Sequence, residues 1–475
     1  MTGLLRLLIH KMKPGLALSV LLIILVACGH ATTASTPTKL PPTPTPVVAT
    51  LTPSPTTDPL PNTDWTTYHG NNQRTGYVAS TPDPHSLSKA WNKQLDGAVY
   101  AEPLVVGNRV IVATEGDSLY ALNAKTGAVQ WRTNVGSPVA QSTLPCGDIN
   151  PLGITGTPVY DAANGLVYAV AEISGAAPTH ILVGVDVNTG QIKLRRSADM
   201  EGMDPRAYQE RGALTLANGM IYIPYGGLAG DCSDYIGRIV ASQTDGQGAL
   251  LSYIVPTPRE GGIWTPPGAS VDSVGNLYVA VGNGAVTTGH WDHSDSILKL
   301  SPTLQLEDAF APTTWGGENA NDEDLGSQGP ALLSNGFIFA DGKSGKGYVL
   351  RSTALGGVGG QVAMQNVCDS FGGTASVGST VFVPCTDGVL QITVNASGQM
   401  HQGWHAASNM NGSPVVGGHT VYSLTGGTLY ALSANSGQLI TSLNVGQANR
   451  FVTPTISGSS IFVGTNAGIT AINIA

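Results

Sequence analysis

Charge is scarce in this chain. Asp, Glu, Lys and Arg make up 11% of 475 residues, and aromatic residues only 6%. No apolar run reaches the roughly 20 residues that a spanning helix needs. With 41% hydrophobic residues, low charge excludes wholesale disorder, which requires the opposite balance. The 22 basic side chains are outnumbered by 31 acidic ones, a formal charge of −9. Such a chain has no footprint for a phosphate backbone, which excludes nucleic acid as a partner class. No segment holds a helical period. The motifs G-x-S-x-G and H-E-x-x-H are absent, as is a phosphate-cradling glycine loop, so the hydrolase, zinc-protease and nucleotide-binding readings have no support. Glycine is plentiful, 61 residues without a G-X-Y period, which implies many tight turns between short strands.

At the start of the sequence, Arg6, Lys11 and Lys13 precede the apolar stretch Leu16 to Val26. This stretch is too short to span a bilayer and reads as a secretory signal. Leu25-Val26-Ala27-Cys28 then resembles a bacterial lipobox. The resemblance implies removal of residues 1–27, lipidation of Cys28, and anchoring on the outer face of the bacterial cell membrane. Residues 31–62 hold nine Pro and ten Thr among 32 positions, a composition that favours an extended tether over a packed core. The expected organisation is a signal peptide (1–27), a lipid-anchored tether (28–63) and one folded domain (64–475).

That domain is repetitive. Asp117-Ser-Leu-Tyr-Ala-Leu-Asn-Ala-Lys-Thr-Gly127, followed by Trp131, returns as His180 to Gly190 and as Gly427 to Gly437. Each copy is an alternating apolar strand, a tight turn ending in Gly, and a further short strand; the Gly supplies the positive φ of the turn. A strand–turn–strand element precedes each copy, starting at Pro103, Pro158, Ala213, Ala269, Pro330, Thr374, Pro414 and Pro454. Eight units of about 51 residues fit four short strands each, and such units bury both faces only by stacking in a closed ring. The last unit supplies about three strands, while Lys89 to Leu95 is an orphan strand at the beginning. The orphan is expected to complete the last unit and leave no open edge. The fold class is all-β, an eight-bladed propeller of four-stranded antiparallel blades.

These repeats, with Trp65, Tyr68, Gly70, Asn71, Arg74, Thr75 and Gly76 ahead of them, resemble the pyrroloquinoline-quinone-like (PQQ-like) propeller family. The stretches 145–161, 230–237 and 324–330 look like those of its exported bacterial members without a defined activity. In quinoprotein alcohol dehydrogenases, the family implies PQQ over the central channel, a Ca²⁺ held by carboxylate and Asn ligands, a catalytic Asp, and a disulfide between adjacent Cys. Asn283 resembles the calcium-ligating Asn. This chain departs from the pattern in having no adjacent Cys pair and no C-x-x-C-H for a covalent haem.

The leading expectation is therefore a lipid-anchored binding scaffold without cofactor or metal, a monomer that recognises protein or polysaccharide. A secreted dehydrogenase dependent on PQQ and Ca²⁺ is the alternative. No catalytic residue is assigned. Residues just before each innermost strand should ring the channel mouth: Tyr100, Glu102, Thr155, Glu210, Arg211, Trp264, Gln328, Phe371, Asn411, Arg450 and Phe451. Two clusters of possible ligands, His290-Trp-Asp292-His293-Ser-Asp295 and Glu318, Asp322, Glu323, Asp324, match no established metal spacing and are read as exposed loops, with Asp324 capping a turn. The four Cys of the domain are expected as disulfides in an oxidising compartment. Four allow three connectivities. Placing them on the propeller favours Cys146–Cys232 between blades and Cys368–Cys385 at one hairpin end.

Overall fold

The computed structural model describes residues 64–475; the expectations for residues 1–63, lipidation of Cys28 among them, lie outside the described residues. Eight sheets follow one another along the chain, each with a core of four antiparallel strands. Blade 1 shows the rule. Its strands Leu104–Val106, Arg109–Thr114 and Ser118–Asn123 are buried almost throughout, whereas Val129–Asn134 exposes all but Trp131 and, in part, Thr133. The inner strands are apolar on both sides because a neighbouring blade covers each face, and only the outermost strand meets solvent.

The ring closes as the orphan strand predicts. Leu87–Gln94 pairs antiparallel with Gly468–Ile474 and becomes the outer strand of blade 8, with Trp91 opposite Ala471. Trp91 also explains the repeated Gly–Trp pattern. Its indole donates to Ala124 O at 3.0 Å, and a Cβ on Gly127 would lie 2.6 Å from its ring. Trp131 meets Gly190 in the same way, and Trp404 meets Gly437. Each turn glycine thus has two duties: it takes positive φ (+67° at Gly127), and it leaves room for the tryptophan of the preceding blade.

The segment ahead of the closing strand threads the channel. Its backbone bonds to the innermost strands of blades 1, 2, 4, 6 and 7, through Trp65 to Val105, Thr66 to Tyr160, Asn72 to Val271, Thr75 to Ser376 and Gly76 to Val416. Asn72 Nδ2 donates to Leu216 O of blade 3 at 2.8 Å. His69 pairs with Thr374 O at 3.1 Å and Thr453 Oγ1 at 3.2 Å, and burial pushes its ring down to about 3, so it is neutral. Arg74 is 4% exposed, with its guanidinium donating to Ala269 O, Tyr68 O, Leu214 O and the hydroxyls of Thr67 and Thr215. The channel is consequently blind, not a through-pore.

One short helix, Trp315–Asn321, departs from the all-strand expectation. It overlaps the stretch read as an exposed acidic loop, a reading that holds for Asp322 and Glu323 but is corrected for Glu318 and Asp324, buried at 2% and 0% exposure. Asp324 does not cap its turn through its side chain. Asp292 and Asp295 are likewise buried, so the 290–295 stretch is no solvated loop. Asp292 serves the local turn, its Oδ1 accepting from Ser294 Oγ at 2.5 Å, while Asp295 Oδ1 accepts from Leu325 N at 2.8 Å and ties the stretch to the next connection. Both disulfides form as paired above, with Cα separations of 6.1 Å for Cys146–Cys232 and 5.6 Å for Cys368–Cys385.

Candidate functional site at the channel mouth

The segments leading into the innermost strands converge on one end of the channel. Five of their side chains and one lysine alternate as cations and rings. The Arg450 guanidinium lies 4.4 Å from the Phe371 centroid and 5.2 Å from that of Phe451. Arg211 lies 4.0 Å from Phe451 and 5.6 Å from Trp264, whose ring is also 5.5 Å from Lys343 Nζ. Because Phe451 belongs to blade 8 and Arg211 to blade 3, their contact roofs the channel. A small cavity of about 40 Å³ lies there, lined by Tyr68 of the threading segment, Tyr100, Thr155, Gln209, Arg211 and Phe451. It has room for a few water-sized groups only.

The other residues expected at the mouth have different work. Glu102 is a correction: it is buried and accepts from Trp65 Nε1 at 3.0 Å and His69 N at 2.7 Å, so it anchors the threading segment and faces no ligand. Gln328 is buried, donating to Ser370 Oγ at 3.4 Å between blades 5 and 6. Asn411 donates to Thr386 O at 2.7 Å and accepts from Thr425 Oγ1 at 3.1 Å, fixing the wall of a groove shared with Phe371 and Arg450. Thr155 donates to Glu115 Oε1 at 2.8 Å.

Glu210 belongs to a buried ionic network beside the mouth. Its backbone N donates to Glu172 Oε1, which lies 3.5 Å from His180 Nε2, while His180 Nδ1 meets Asp199 Oδ1 at 2.6 Å. Burial disfavours the charged imidazole, but the Glu172 charge and the Asp199 hydrogen bond outweigh it and push His180 up to about 10. Burial pushes Glu115 up to about 8; burial and the neighbouring Glu115 and Glu172 charges do the same to Asp117. All three groups bind protons more tightly folded than unfolded. Their stabilisation is complete below their unfolded values, and is lost as pH rises through about 8 for the two acids and about 10 for His180. Melting temperature is therefore expected to fall steadily from pH 5 to pH 9, a loss on the order of a few kcal/mol. A flat or rising profile in a buffer series would contradict this network.

On the opposite wall, the mouth gathers the oxygen ligands that were discounted in the sequence. Asn283 directs its amide at Asp322 Oδ1 (3.3 Å) and Asp324 Oδ2 (3.2 Å), donating its NH₂ to both. Lys343 Nζ, which also approaches Trp264, pairs with Asp322 and reaches Asp324 Oδ2 at 2.9 Å. Asp324 Oδ1 is buried without a hydrogen-bond partner. Burial raises the Asp324 carboxyl above its ordinary range, and the Lys343 charge opposes the rise. Burial and the charges of Glu318 and Asp324 also raise the Asp295 carboxyl well above its ordinary range. Lys343 was not foreseen; the sequence features that point to this wall are Asn283, which resembles the calcium-ligating Asn of the family, and the acidic run that holds Asp322 and Asp324.

Residues 75–223 match the family model described as outer membrane protein assembly factor BamB. Two curated relatives are both named polyvinylalcohol dehydrogenase. The protein from Sphingopyxis sp. (strain 113P3) is 27% identical over 282 residues, 51% of this chain and 39% of the relative. That from Pseudomonas sp is 25% identical over 247 residues, 46% of this chain and 35% of the relative. The matched region is thus less than two-fifths of the length of either relative. Among solved structures, the quinohemoprotein alcohol dehydrogenase ADHIIG from Pseudomonas putida HK5 superposes with a TM-score of 0.67 at 14% identity, covering 87% of this chain and 80% of that one. BamB from Moraxella catarrhalis superposes with a TM-score of 0.56 at 14% identity, covering 81% and 99%. At such identities the structural likeness concerns the fold alone. Repeats, blade count and ring closure agree: the chain is an eight-bladed β-propeller, similar over residues 75–223 to that family model.

Proposed function

We propose that this propeller is a quinone-dependent dehydrogenase acting on an alcohol, with a divalent cation and a PQQ-class cofactor held at the channel mouth. The observation that carries the reading is Asp324, wholly buried, with one carboxylate oxygen unpartnered and Asn283, Asp322 and Lys343 around the other. Carboxylate and amide oxygens are the donors that a hard cation such as Ca²⁺ takes, and turning the Asn283 amide by 180° presents its oxygen. Asn283, Asp322 and Asp324 would hold the cation; Trp264 and Lys343 offer a flat face and a positive charge to a planar anionic cofactor. When bound, such a cofactor accepts the two electrons released in alcohol oxidation. Asp324 Oδ1, buried without a hydrogen-bond partner, would be the atom that takes up the hydroxyl proton. The names of the curated relatives support an alcohol substrate, polymeric in their case.

The assembly-factor match over 75–223 supports a second reading, a scaffold that binds protein or polysaccharide through the mouth loops. Either role fits a chain displayed on the outer face of the bacterial cell membrane through lipidated Cys28. Reconstitution separates the two. Adding PQQ and Ca²⁺ to the purified protein should yield alcohol-dependent dye reduction that requires both additions. Absence of both dye reduction and PQQ retention would leave the scaffold reading in place.

A further inference from the structure

We infer that Arg211 and Arg450 form a clamp for the carboxylate of an organic acid, beside the oxygen cluster around Asp324 and sharing Trp264 with it. The two guanidiniums flank the Phe451 ring at 4.0 and 5.2 Å. Among the described residues neither has a carboxylate within ion-pair distance or a hydrogen-bond acceptor, in a chain where acidic side chains outnumber basic ones. The acidic group nearest in effect is Asp148, which is exposed and makes no ion pair with either arginine. Among the described residues no protein group claims their ten N–H donors, which stand over a partly apolar floor, and the two like charges have no protein counter-ion in contact. An anion that bridges them relieves the repulsion and satisfies the forks.

The site is built, not a chance of side-chain length. Gly212, next to Arg211, has no room for a Cβ, which would lie 2.8 Å from Thr265 O and from the Pro224 ring. Phe451 N donates to Asn449 Oδ1 at 3.0 Å, which sets the turn bearing Arg450. Guanidinium forks match the two coplanar oxygens of a carboxylate, and the rings of Phe371, Phe451 and Trp264 give an attached organic body apolar surface to cover. The carboxylate has two sources, the substrate or the cofactor, and binding experiments tell them apart.

Calorimetric titration of the purified chain, without cofactor, uses benzene-1,3,5-tricarboxylate as the probe and its neutral triamide as control. The tricarboxylate should bind and the triamide should not. Arg211→Gln and Arg450→Gln should each weaken binding about tenfold or more, while Arg206→Gln, an exposed arginine already paired with Asp204, leaves it unchanged. Arg450 is exposed, so its variant keeps the fold, and unchanged melting guards the interpretation of Arg211→Gln. Loss of probe binding on adding PQQ with Ca²⁺ assigns the clamp to the cofactor; simultaneous binding assigns it to substrate. Equal affinity for the triamide, for inorganic phosphate, or for both variants would overturn the clamp. Because the probe needs no cofactor, this result does not depend on whether the dehydrogenase reading holds.

Discussion

A chain lacking residues 64–94 is expected to aggregate instead of folding as a monomer. Two losses coincide. Removing Leu87–Gln94 strips the outer strand from blade 8 and bares the edge of Gly468–Ile474, a ready template for pairing with another chain. Removing the threading segment leaves the innermost strands of the ring without the channel-filling contacts of Trp65, Tyr68 and His69, all of which are nearly or fully buried. A single substitution isolates the second effect. Arg74→Met keeps the chain length but strands the buried carbonyls of Tyr68 and Leu214 and the Thr67 hydroxyl, while Ala269 O and Thr215 Oγ1 keep only their bond to each other. Each unsatisfied buried group costs about 1–3 kcal/mol, so a loss of at least about 3 kcal/mol is expected in urea denaturation. Size-exclusion of the truncated chain and the denaturation midpoint of Arg74→Met are the measurements. A monomeric truncation with unchanged melting, or an Arg74→Met variant within about 1 kcal/mol of the parent, would show that the segment lies in the channel without holding it.

Asp324→Asn should lower cofactor-dependent alcohol oxidation by about 100- to 10,000-fold, the range typical of a removed general base. The amide is nearly isosteric and neutral in a buried place, so the fold is expected to survive with little change in melting. Lys343→Met should behave differently. It removes the cation that reaches Asp324 at 2.9 Å and leaves a buried carboxylate unpaired, so it is expected to cost about 3–5 kcal/mol of stability as well as activity. Paired measurement of activity and thermal midpoint distinguishes a base from a structural ion pair. If Asp324→Asn retains parental turnover, the proton is taken elsewhere; if it melts as low as Lys343→Met, the carboxylate is chiefly structural.

Trp264→Ala and Asp322→Ala act on one connected wall, because Lys343 joins Trp264 on one side to Asp322 and Asp324 on the other. Both variants are expected to weaken PQQ retention, and a filter-binding assay with Ca²⁺ present compares them directly. An Asp322→Ala variant with parental retention would confine the site to the aromatic side.

What the sequence determined by itself was everything that repeats. Gly127, Gly190 and Gly437 mark turns, the alternation around them marks strands, and eight copies with one orphan strand specify a closed ring. These are short-range patterns, and a blade cannot bury its two faces except on its neighbours. The cysteine pairs were legible for the same reason, since the blade count placed their loops. Only the tertiary structure decided the fate of the charged residues in the connections. Glu102 turns inward to the threading segment and Asp324 sinks between Asn283 and Lys343, while the guanidinium of Arg74 fills a space bounded by residues 140 to 195 positions away. A loop carboxylate looks the same in sequence whether water or another blade covers it. Its burial, and with it its proton affinity and its chemistry, depends on chain segments that meet only when the ring has closed.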